Sequence, residues 1–108
     1  MPIGNPDIID LIGLSKQGNE VSMVISDHLD WQDFDTHCGI LQTKLNRYID
    51  VVESGEIYEI KKEALGRKIV IEVFGKYPLP PEAAQFYRQV NDILTDIDLE
   101  MRFIPSMQ

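Results

Sequence analysis

Cys38 is the only cysteine among 108 residues, so no disulfide can form within the chain and the fold must rest on its core. No stretch approaches the ~20 apolar residues of a membrane-spanning helix. The opening residues, MPIGNPDIIDLIG, have neither a basic start nor a long apolar run. They read as no secretory leader, and the cytoplasm is the expected location. Basic side chains are scarce: 10 stand against 18 acidic ones, a formal net charge of −8. Such a surface repels nucleic-acid phosphates and anionic lipid headgroups. Nucleic-acid and membrane binding are therefore not expected, whereas a basic protein partner suits the charge. Gly13, Gly18, Gly55, Gly66 and Gly75 are isolated rather than gathered into a phosphate loop that opens a helix. No serine stands in a nucleophile elbow. No repeat or low-complexity segment occurs, and no cofactor is expected.

What is present is a globular composition, 44% hydrophobic and 26% charged, far from the disordered class. The length suits one domain over residues 1–108 with a single core. Residues 7–14, DIIDLIGL, and residues 20–26, EVSMVIS, read as two strands. In the second, Val21, Met23 and Ile25 alternate with Ser22, Val24 and Ser26. The intervening SKQGN is rich in turn-formers, so the pair reads as a hairpin.

The strongest periodicity follows. Phe34, Cys38, Leu41, Leu45, Tyr48 and Val52 recur at helical spacing and make one apolar stripe. The spacing predicts a helix from about Trp31, with Asp30 as N-cap and Asp33 and Asp35 at its positive end. Ser54-Gly55 ends it. Residues 56–67 read as a connection with at most a short element. Residues 68–74, KIVIEVF, form a third strand. The YPLPP turn leads into a second helix, with Pro81 at its first position. Its expected stripe is Ala83, Phe86, Tyr87, Val90, Ile93, Leu94 and Ile97. Residues 99–104, LEMRFI, alternate as a last strand. The order β-β-α-β-α-β predicts an α+β two-layer sandwich, a four-stranded mixed sheet with two helices on one face. Apolar residues on both faces of the first and third strands leave a second sheet face. The 56–67 connection or a second copy of the chain, as a homodimer, is expected to cover it.

The segment from Asp27 to His37 holds four aspartates and both histidines. His28, Asp33 and His37 make a candidate ligand set for zinc, manganese or iron, or a general acid–base group. The plainer reading assigns these residues to helix capping and solvation. His37 and Cys38 are helix neighbours pointing about 100° apart, so they form no thiol–base pair. Cys38 reads as an inert thiol on the apolar stripe. Trp31 reads as a core-edge aromatic near Leu29 or Phe34, with partner anchoring as the alternative.

The runs ISDHLDW at 25–31, LNRYIDVVESGEIYE at 45–59 and KYPLPPEA at 76–83 resemble a small bacterial family of unknown function, number 6572 in that series. The resemblance spans nearly the whole chain. It implies a compact α+β fold in a bacterial, cytoplasmic protein and brings no activity, cofactor or site residue with it.

Two functions follow from the residues. The first is a non-enzymatic binding or accessory domain, for example an immunity-like protein that neutralises a basic partner through Asp27, Asp30, Trp31, Asp33 and Asp35. The alternative is a small metal-dependent or acid–base enzyme centred on His28, Asp33 and His37.

Overall fold

The computed structural model describes residues 11–14 and 19–105. Its four strands form one sheet in the order β1-β2-β3-β4. β1 (Leu11–Leu14) runs antiparallel to β2 (Glu20–Asp27). β2 is parallel to β3 (Lys68–Gly75), and β3 to β4 (Leu99–Pro105). The parallel connections pass through α1 (Phe34–Glu53) and α3 (Pro81–Thr95). Each crossover advances one strand in the same direction, and right-handed crossovers of that kind place both helices on one face. The mixed sheet and α+β class are as the alternation predicts. Residues 7–10 of the first expected strand and 15–18 of the hairpin loop lie outside the described residues. No helix among the described residues is long and apolar enough to cross a membrane.

The core is the sheet face under the helices. Val21, Met23 and Ile25 of β2 and Ile69, Ile71 and Val73 of β3 are buried there. Leu41, Leu45, Tyr48 and Val51 of α1 and Tyr87 and Leu94 of α3 pack against them. Polar bonding enters this packing as well: the Tyr48 hydroxyl donates to the Val24 carbonyl oxygen at 2.6 Å. The α3 stripe is narrower than its apolar residues suggest. Ile93 is 68% exposed, because it stands about 100° around the helix from the buried Leu94.

The 56–67 connection holds more structure than expected, a short helix α2 (Glu56–Ile60) and a 3₁₀ turn at Lys62–Ala64. Gly55 at φ 84° and Gly66 at φ 81° flank it, both in the left-handed region that glycine enters without a Cβ clash. Ile57 and Ala64 are fully buried in the same core, and α2 packs on α1. The connection therefore closes the helix side and does not cover the opposite sheet face.

That opposite face carries an ionic network. Arg102 reaches diagonally from β4 to Glu20 on β2, with two bonds of 3.1 and 3.0 Å. It also grips Glu100 at 2.8 Å, and Lys68 bonds Glu100 at 2.9 Å. The network lies across the β3 row holding Val70, which is fully buried. Hydrogen bonds from Arg102 and then Lys68 hold the Glu100 carboxyl at about 2, far below its usual range. The face therefore stays charged at neutral pH and offers a second copy less oily surface than the strand pattern implies. The β4 edge is also occupied: the Asn91 side chain accepts from the Met101 N–H at 2.8 Å and donates to its carbonyl at 2.9 Å. The Asn91 side chain thus covers one rung of that edge against strand addition.

At the other end of the sheet, Gly75 is required by close approach. A Cβ there would overlap the Phe103 ring, which already meets Tyr87 edge-on with centroids 5.9 Å apart. Gly75→Ala is expected to destabilise the protein by about 1–3 kcal/mol through overpacking. Adding Phe103→Leu should recover part of the loss, because the two sites touch. Urea unfolding of the three chains checks both statements.

Candidate functional site

β2 ends at Asp27, and residues 28–33 turn the chain into α1. The Asp27 carboxylate folds inward. Its Oδ1 accepts the Leu29 N–H at 3.1 Å, and its Oδ2 lies 2.6 Å from His37 Nε2. Both side chains are 2% exposed. The other ring nitrogen, Nδ1, lies 2.8 Å from the Asp30 carbonyl oxygen. A carbonyl only accepts, so Nδ1 donates. Nε2 then faces a carboxyl oxygen across a single shared proton, in the charge-separated form an imidazolium–carboxylate pair. Trp31 covers the ring, stacked on His37 with centroids 3.6 Å apart and planes 17° from parallel. Its neighbour Phe34 is 5.9 Å away. One imidazole thus ties the end of β2, the loop backbone, the tryptophan and the first turn of α1 together.

The helix start differs from the expected one. α1 begins at Phe34, and its N-cap is Asp33, which accepts the Thr36 N–H at 3.2 Å. Asp30 closes a local turn instead, accepting the Gln32 N–H at 3.1 Å. Trp31 is half-buried because it stacks on His37, not because it belongs to the helix. It is a core-edge aromatic whose main partner is a histidine rather than Leu29.

The aspartates therefore divide. Asp30, Asp33 and Asp35 are exposed. Asp27 is 3% exposed and is removed from the acidic surface expected of it. His28 is exposed, and with Asp30, Asp33, His37 and Tyr77 it borders a shallow depression of about 260 Å³. His28, Asp33 and His37 thus share a hollow without forming a ligand set. Both His37 nitrogens are committed, and Asp33 caps the helix. Among the described residues no three His, Cys, Asp or Glu side chains gather to hold a metal ion. A general base needs a free lone pair directed at its substrate, and His37 offers none.

Two further groups stand near the pair. The Tyr87 hydroxyl is buried without a hydrogen-bond partner among the described residues. Burial, then the charges of Asp27 and Cys38, push its phenol far above the usual range, so it stays protonated. Burial, and then Asp35, push the Cys38 thiol up, which leaves a poor nucleophile. A larger open hollow, about 640 Å³, lies at the opposite end of the sheet between Arg67, Asn91, Asp98 and Glu100. It mixes charges of both signs, and Asn91 is already spent on β4.

Hydropathy overlooked the Asp27–His37 pair because both residues are polar. A signal existed. His37, Leu41, Lys44, Tyr48 and Val51 also recur at helical spacing, and all five are buried. The runs at 25–31, 45–59 and 76–83 resemble a family of unknown function, and a match over almost the whole length bears the resemblance out. Comparison with curated proteins and with solved structures finds no match. The model of one family, described as a family of unknown function (DUF6572), matches residues 1–106, and the chain belongs to that family.

Proposed function

We propose that the protein is a non-enzymatic binding domain that docks a basic protein partner on the acidic loop between β2 and α1. The observation that carries this reading is the division of labour in residues 27–37. Asp27 and His37 are spent beneath the loop, while Asp30, Asp33 and Asp35 stand exposed above it. A loop fixed from below loses little freedom on docking, which favours affinity. Clustered carboxylates draw in a cationic surface and speed its association. The half-buried Trp31 supplies an aromatic edge beside them. Neutralisation of a basic protein in the cytoplasm, as an immunity protein does, is the concrete form.

The test uses the full chain and the combined variant Asp30→Asn, Asp33→Asn and Asp35→Asn. Asparagine caps a helix about as well as aspartate, so the variant keeps the fold and removes charge. Proteins captured from the host cell by each chain are identified by mass spectrometry, and the association rate of any purified partner is measured. The reading predicts a basic protein that is released by salt and associates about tenfold or more slowly with the variant. Equal capture by both chains, or a partner that is acidic, would overturn it.

A further inference from the structure

We infer that Asp27, His37 and Trp31 form a proton-held latch, which keeps the acidic loop in place while the pair retains its shared proton and releases the loop when that proton leaves. The geometry carries this. Both ring nitrogens of His37 face oxygen acceptors, at 2.8 and 2.6 Å. The closed arrangement therefore needs hydrogen on both lines. Removing the shared proton leaves a lone pair on Nε2 against a carboxylate oxygen, two acceptors with nothing between them. Both side chains are shielded from water, so solvent cannot screen that repulsion in place. The strand end is anchored: the Asp27 carbonyl also accepts the Lys76 N–H at 2.9 Å. The part free to move is the loop, held by the Asp30 carbonyl and the Trp31 stack.

The charged and titratable neighbours sort into those that compete and those that do not. From α3, Tyr87 keeps its proton, since burial and the Asp27 charge raise it. From α1, the Cys38 thiol is raised by burial and by Asp35. Asp33, the helix cap, and Asp30 flank the loop on its solvent side. From the turn after β3, the Lys76 ammonium sits 5.7 Å over the Tyr77 ring. His28, exposed on the rim of the same depression, is the other imidazole at the site, and it serves as the control.

The latch acts on the loop proposed to dock the partner and rests on that reading for its purpose. Its test needs no partner, so the two fail separately. Trp31 is the single tryptophan, and an imidazolium stacked on an indole quenches its emission. Fluorescence of the full chain is followed from mildly acid to alkaline pH. Emission should be low while the latch is closed and rise in one single-proton step as pH increases. The protection of the Leu29 amide, its exchange rate against that of an unstructured amide at the same pH, should fall over the same interval. His28→Gln should leave the step in place, and His37→Gln should abolish it. Asp27→Asn should reverse the sense of the change in protection at Leu29. The new side-chain amide donates to a neutral Nε2, so that latch is closed at high pH and opens on acidification. If a variant fails to fold, as circular dichroism would show, the wild-type and His28→Gln titrations decide. A flat wild-type profile, or a step lost in His28→Gln or surviving in a folded His37→Gln chain, overturns the latch.

Discussion

Asp27→Ala is expected to lower the unfolding free energy by about 3–5 kcal/mol, the range for removing one member of a buried charged pair. The alanine leaves His37, 2% exposed, with a ring nitrogen that has lost its acceptor and cannot reach water. It also strands the Leu29 N–H, which Asp27 Oδ1 accepts at 3.1 Å. Domains of this size are stable by only about 5–15 kcal/mol in total, so the change is a large fraction of the whole. Asp35→Ala, at an exposed position on the same acidic segment, should stay within about 0.5 kcal/mol of wild type. Urea denaturation of the three chains separates the two kinds of aspartate. A loss at Asp27 no larger than at Asp35 would mean that Asp27 faces water.

Tyr48 carries the second large effect, and two substitutions divide it. The ring is fully buried between α1 and the sheet, and the Lys44 ammonium lies 5.5 Å from its centroid. Tyr48→Ala removes the ring and leaves a cavity, for which about 3–5 kcal/mol is expected. Tyr48→Phe keeps the ring and removes the hydroxyl with its 2.6 Å bond to the Val24 carbonyl. That should cost about 1 kcal/mol. Thermal or urea unfolding of both variants measures the difference, which is the share carried by packing. Equal losses in the two variants would place the energy in the hydroxyl instead.

These two positions show which parts of the fold were legible in the sequence. Val21, Met23 and Ile25 alternate, and the strand lies where they do, with those three buried. Gly55 and Pro81 mark boundaries for reasons that need no tertiary contact, one by its left-handed φ and one by its fixed ring. Tyr48 was placed on the α1 stripe by spacing alone. Asp27 and His37 were not legible in the same way. A hydropathy pattern treats a polar side chain as solvent-facing, whereas a polar group with all its hydrogen bonds met inside can be buried at little cost. The partners are ten residues apart, one ending a strand and one in the first turn of a helix, so helical spacing can point to His37 alone and nothing local pairs it with Asp27. The misplaced helix start has another origin. The stripe runs back only to Phe34, and of the aspartates before it that can cap a helix, Asp33 rather than Asp30 does so, accepting the Thr36 N–H at 3.2 Å.

The division of residues 27–37 into a hidden pair and an exposed acidic rim is the claim on which the rest stands. Nitrogen NMR of the His37 ring tests it most directly. The account predicts that both ring nitrogens lie in hydrogen bonds in the folded chain, their hydrogens exchanging slowly with water because both are bonded and buried. Ring hydrogens that exchange rapidly would contradict it and return His37 to the surface.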